Sequence, residues 1–169
     1  MSSSTPTPSA PIVPTDEQIQ SHLTHLLATR APLSPLYNLL IAGAGARITA
    51  ATRGSFTARL TLGPAHLNSS GALHGAASAA LVDWAGGMAI ATWDLRQTTG
   101  VSLDIHVRYL SAAAREGDVV EVRGTAERVG GAVAFTGVGI WKLKGVAEGG
   151  EEEWELVASG THTKYVRQR

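Results

Sequence analysis

Asn68-Ser69-Ser70-Gly71-Ala72-Leu73-His74-Gly75-Ala76-Ala77-Ser78-Ala79-Ala80-Leu81-Val82-Asp83 is a polar turn that runs through His-Gly straight into an apolar segment carrying one carboxylate. The segment from Gly75 to Trp93 is too long and too rich in Ala for a strand, and small or apolar residues occupy every side of it. It therefore predicts a helix buried all round. An ionised Asp among Ala, Leu and Val is unfavourable unless it has a partner or a task. Asp83 is accordingly the residue that asks for a chemical explanation.

Working outward, Ile19, Leu23, Leu26 and Leu27 recur at helical spacing behind a Thr15/Asp16 start, predicting an amphipathic helix over 16–30 that closes before Pro32. A weaker helical turn follows over 34–40, ended by Gly43 and Gly45. Strands are predicted over 47–52 and 55–62, the second alternating Phe56, Ala58, Leu60 and Leu62 with polar residues. After the central helix come strands over 101–109, 118–129, 132–144 and 154–166, with Gly130-Gly131 as a hairpin signal. Gly149 to Glu153 reads as a solvated hairpin tip without functional weight. Residues 1–15 are Ser, Thr and Pro with little to bury, predicting a disordered tail ahead of a single domain over 16–169. One buried helix with two strands before it and an antiparallel meander after it is an α+β arrangement, a curved sheet wrapped around the helix.

Composition removes several classes of function. The 169 residues hold 14 Lys and Arg against 14 Asp and Glu, so net charge implies no nucleic-acid partner. Five acids cluster at Glu148, Glu151, Glu152, Glu153 and Glu155, leaving the rest of the chain modestly basic, which suits a small phosphorylated ligand. The absence of cysteine excludes disulfides, thiolate metal sites and a cysteine nucleophile. No apolar run reaches the roughly 20 residues a bilayer span needs. The expectation is a soluble intracellular protein, cytoplasmic or mitochondrial, without membrane insertion, metal or cofactor.

The chemistry of the central stretch follows from its placement. A helix N-terminus offers unpaired amides and partial positive charge, so the Gly75 and Ala76 N–H groups suit a developing oxyanion. Gly75 permits close approach to the backbone. The Asn68 amide suits a water or a carbonyl, and Asp83 a general base or a nucleophile. Eight residues of helix separate Gly75 from Asp83 by about 12 Å, whereas oxyanion donors and base must converge within about 3 Å of one reacting centre. One copy of the helix cannot do both jobs; a two-fold dimer, in which each site takes the helix start from one subunit and Asp83 from the other, can.

These residues, with Gly100-Val101-Ser102-Leu103-Asp104, Tyr109-Leu110-Ser111 and the ending Gly160-Thr161-His162-Thr163-Lys164, resemble the hotdog-fold acyl-CoA thioesterases of the PaaI and thioesterase-superfamily type, over about residues 36–165. The resemblance implies a hotdog fold and hydrolysis of an acyl-CoA thioester to a free acid and CoA, by a homodimer or a homotetramer built as a dimer of dimers. It implies that the Gly75 amide polarises the carbonyl and that Asp83 of the other subunit activates water. Asn68, His74 and Ser102 would then position the groups. It also implies that Tyr109, Arg115, Arg128, Gly131 and Lys164 contact the CoA substrate. Where the family often has His-Gly-Gly, this chain has Ala76. Trp84 and the small Ala85-Gly86-Gly87 patch bear on the shape of the acyl tunnel.

Plainer readings compete. His74 is equally a helix cap, Asn68 a turn residue, Ser102 a polar residue on the wet face of its strand, and Arg115, Arg128, Lys164 and Arg167 solvated charges. His66 and His106 read as surface histidines. A structural ion pair for Asp83 needs a cation that the neighbouring sequence lacks. At the level of function, the alternatives are a hotdog hydratase or dehydratase, whose usual His-rich patterns are not seen here, and a non-catalytic acyl-CoA-binding protein.

Overall fold

The computed structural model describes residues 13–167. The expected tail over 1–15 thus falls mostly outside the described residues. Its last member, Thr15, has a structural job: its Oγ1 accepts from Gln18 N at 3.3 Å while the Gln18 side chain accepts from Thr15 N at 2.9 Å, a capping box that starts helix α1 (Asp16–Thr29). Ile19, Leu23, Leu26 and Leu27 form its buried stripe. A 3-10 turn (Ala31–Leu33) leads to a single α turn, α2 (Pro35–Tyr37), capped by Ser34 and widening into a π turn (Asn38–Ala42). The predicted second helical turn exists, but with two different pitches.

The remaining elements are β1 (Arg47–Thr52), β2 (Ser55–Thr61), the long helix α3 (Gly75–Ala91), β3 (Val101–Tyr109), β4 (Val119–Val129), β5 (Val133–Val146) and β6 (Glu152–Tyr165). The six strands form one antiparallel sheet in the order β1-β2-β4-β5-β6-β3. α3 lies against β4, β5, β6 and β3 and is buried along most of its length, as its all-round apolar sequence requires. This is the hotdog arrangement, a sheet wrapped on a central helix.

Close contact of helix and sheet depends on small residues. A Cβ on Gly86 of α3 would stand 2.6 Å from His162 Nδ1, and one on Gly124 of β4 would stand 2.5 Å from the Phe56 ring. Beside them Trp84 and Phe56 meet edge to face, centroids 5.7 Å apart, a geometry that adds about 0.5–1.5 kcal/mol to their burial.

Two expectations need correction. His66 is not a surface residue: it is 1% exposed, its Nδ1 lies 3.0 Å from the Gly63 N–H that it accepts, and its Nε2 lies 2.8 Å from Leu40 O. It ties the loop before α3 to the π turn, whereas His106 is exposed as read. The acidic stretch is also only partly a tip, since the turn occupies 147–151 and Glu152 begins β6. Arg59 bonds Glu152 through Nη1 at 2.8 Å and Glu121 through Nε at 2.8 Å, and its guanidinium lies 5.0 Å from the centre of the Trp154 ring. Among the described residues no helix is long and apolar enough to cross a membrane.

Candidate functional site

Asp83 lies midway along α3 with 33% of its side chain exposed. The Tyr37 hydroxyl donates to Oδ2 at 2.6 Å, and the Ser102 hydroxyl donates to Oδ1 at 3.3 Å. His162 Nε2 stands 2.8 Å from Ser102 Oγ and 3.5 Å from Asp83 Oδ1. Its Nδ1 is buried against Gly86, without a hydrogen-bond partner among the described residues. Burial pushes the His162 ring below its ordinary 6.5, and the Lys164 charge adds to this against the opposing pull of Asp83 and Asp104. The ring is therefore neutral at pH 7. With oxygens on one side and an unpartnered nitrogen on the other, the bonding pattern assigns the proton to Nε2. It follows that Nε2–H donates to Ser102 Oγ, which in turn donates to Asp83.

Lys164 is 6% exposed and lines the same cavity as Asp83. Burial pulls its ammonium below the ordinary 10.5, and the Asp83 charge opposes the shift. A positive charge from β6 thus shares the cavity with Asp83, without a direct ion pair to it among the described residues. The reading of Lys164 as a solvated charge needs correction: the structure turns it inward, because β6 alternates and Lys164 shares the helix-facing side with His162. The cavity measures about 600 Å³, with Leu26, Leu33, Trp84 and Met88 as its apolar wall. That is a size typical of small-molecule sites. Gly87 of the small patch lines it too, close to Thr99.

Asn68, His74, Gly75, Tyr109 and Arg115 gather at the far end of α3. Asn68, Gly75 and Tyr109 line a second cavity of about 330 Å³ that shares no residue with the first. His74 is the N-cap of α3, its Nδ1 accepting from Ala76 N at 2.9 Å. That bond occupies the Ala76 amide, so of the two N–H groups expected to serve an oxyanion only that of Gly75 lacks a partner among the described residues. Asn68 Oδ1 accepts from Ser70 N at 2.9 Å and Ala72 N at 3.1 Å, an Asx turn that leaves its Nδ2 donors uncommitted. The Tyr109 hydroxyl donates to Gly75 O at 3.2 Å, and its ring lies 3.3 Å from where a Gly75 Cβ would sit. Gly75 is needed there for close approach.

Arg115 is exposed at the Gly75 end, bridged through its backbone to Ala72, with its guanidinium on the Ala112 carbonyl. Arg128 and Gly131 are exposed at the opposite end, where the β4–β5 turn and the start of β3 flank the end of β6. Sequence reasoning missed Tyr37 and His162 as site residues. For His162 a signal existed, two polar residues spaced by two in β6 at core-facing positions. For Tyr37 none did, because its contact with Asp83 depends on how the N-terminal helices fold back.

Residues 70–148 match the model of the Thioesterase superfamily, a span that includes Gly75, Asp83 and Ser102. A Schizosaccharomyces pombe protein with a provisional esterase assignment is 33% identical over 121 residues, 72% of this chain and 69% of that protein. Human acyl-coenzyme A thioesterase 13 is 32% identical over 119 residues, 70% of this chain and 78% of the human one. In structure, zebrafish thioesterase superfamily member 2 aligns with a TM-score of 0.67 at 25% identity, covering 90% of this chain and 98% of that one. With relatives more than 30% identical over most of their length, and with a sheet and central helix that superpose on a solved thioesterase superfamily structure, this chain belongs to the thioesterase superfamily and is a hotdog-fold thioester hydrolase.

Proposed function

We propose that the protein hydrolyses acyl-CoA thioesters in a two-fold dimer whose sites each combine the Asp83 end of one subunit with the Gly75 end of the other. The observation that carries this reading is the position of the two cavities at opposite ends of β3. Ser102, beside Asp83, stands at the start of the strand, and Tyr109, beside Gly75, stands at its end. β3 is also an edge strand with Val101, Leu103, Ile105 and Tyr109 exposed, a surface that isolated chains normally cover or blunt. Antiparallel pairing of two β3 strands about an axis near Ile105 sets the start of one beside the end of the other. Each Asp83 is then brought toward Gly75 of the partner subunit.

In such a site the acyl chain lies in the apolar cavity beside Asp83. Asp83 takes a proton from water as the water oxygen attacks the thioester carbon. The Gly75 N–H and Asn68 Nδ2–H of the partner subunit hold the oxyanion. Collapse breaks the C–S bond, and the proton on Asp83 passes to the departing CoA sulfur, giving free acid and CoA. Asp83→Asn is expected to lower kcat by roughly 10²–10⁴, and Asn68→Ala by less, because water partly replaces a positioning amide.

The decisive test mixes the two variants with subunit exchange. Half of randomly paired dimers are then mixed, and each mixed dimer has one site with both residues intact, so recovery of about a quarter of wild-type activity is expected. A mixture no more active than the mean of its parents, or a fully active monomer, would overturn the shared site.

A further inference from the structure

We infer that Tyr37 is a positioning residue for hydrolysis: its hydroxyl holds the Asp83 carboxylate in the one orientation that presents Oδ1 to Ser102 and to the attacking water. The inference rests on the hydrolytic reading above. A carboxylate on a helix is loosely held about its last torsion, where the energy profile is broad and two-fold. Here Oδ2 is fixed by a 2.6 Å bond from Tyr37 Oη, within the range of charge-assisted O–H···O⁻ bonds. Burial first, then the hydrogen bond to Asp83 and its charge, push the Tyr37 phenol far above its ordinary 10.0. Tyr37 therefore stays protonated, and a donor to Asp83, around neutral pH.

Tyr37 is itself held from several sides. Its N–H reaches Ser34 Oγ at 3.4 Å, and the π turn that follows it sinks Leu40 and Ile41 into the core. Buried His66 bonds the Leu40 carbonyl of that turn at 2.8 Å, so the loop leading to the Gly75 end braces the segment that braces Asp83. Tyr37 precedes the residues 70–148 matched by the superfamily model. The carboxylate within that span is thus steadied by a segment that lies ahead of it in the chain.

The test is a double-mutant cycle in the full-length protein with one acyl-CoA, using Tyr37→Phe, which keeps the ring and removes only the hydroxyl, together with Asp83→Asn. Loss of a hydrogen bond to a charged group predicts a fall in kcat of about tenfold for Tyr37→Phe, with KM within about twofold. If Tyr37 acts through Asp83, the same change adds no more than about twofold in the Asp83→Asn background. An equal fall in both backgrounds makes Tyr37 merely structural and overturns the inference, as does a wild-type kcat for Tyr37→Phe. Either result leaves Asp83-dependent hydrolysis standing, whereas a wild-type protein that turns over no acyl-CoA overturns the hydrolytic reading and the inference together.

Discussion

Ser102 of β3 stands directly opposite Lys164 of β6, while Asp104 stands opposite Thr163, so Leu103 is the extra residue of a β-bulge. Cross-strand partners share a face, and Ile105 is paired with His162. Ser102 and Ile105, which strict alternation assigns to opposite faces, therefore both point toward the helix. The bulge moves Ser102 from the wet side to the Asp83 side, the re-aiming of a side chain that bulges commonly bring about. Ser102→Ala should lower kcat about tenfold, the effect of one lost hydrogen bond to a charged group, with KM nearly unchanged. A rise in KM at constant kcat, measured by steady-state kinetics, would place Ser102 in substrate binding instead.

His162 predicts how stability depends on pH. Its folded-state pKa lies below the ordinary 6.5 because of burial, so the unfolded chain takes up a proton that the folded chain resists. The sign is then fixed: the contribution is fully present above about 6.5 and is lost as pH falls below that value toward the folded pKa. Urea midpoints measured from pH 8 to pH 5 should fall in the acid half of the range. His162→Gln should flatten that fall, and an unchanged slope would assign the acid sensitivity to another group.

Bases at the two ends of β3 and the inward base should separate in kinetics. Arg115 and Arg128 are exposed, so their contacts with CoA phosphates would be screened by salt. KM should climb with ionic strength at nearly constant kcat, and Arg115→Ala or Arg128→Ala should reproduce that change at low salt. Lys164, buried beside Asp83, should behave differently, with Lys164→Met lowering kcat more than it raises KM. If Arg115→Ala and Arg128→Ala both left KM unaltered at low salt, CoA would have to lie along another face.

Gly86→Ala sets two effects against each other. Replacing Gly in a helix interior favours the helix by about 1 kcal/mol. Against this, the new Cβ would lie 2.6 Å from His162 Nδ1 and 2.9 Å from Thr136 Oγ1, and overpacking typically costs about 1–3 kcal/mol. Both contacts are with buried groups that have little room to retreat, so overpacking should win. The thermal midpoint should drop, and activity should drop further as His162 is pushed from Ser102. A stabilised, fully active variant would show that the sheet yields there.

The apolar run from Gly75, its polar entry turn and the alternating strands were enough to place the helix and the strands, because helix and strand periods are local properties of which residues can be buried on which side. Asp83 stood out for the same reason, as a charge where the local pattern allows none. What surrounds Asp83 is not local. Tyr37 comes from a helical turn folded back from before β1, His162 and Lys164 from the last strand, and Ser102 from a strand whose bulge reverses its face. Register and bulges depend on the fit of whole strands to one another, and a contact between residues far apart in sequence forms only once the chain between them has packed. Asp83 was therefore readable from the chain itself as the candidate, while the groups that bond to it were chosen by the assembled sheet and the N-terminal helices.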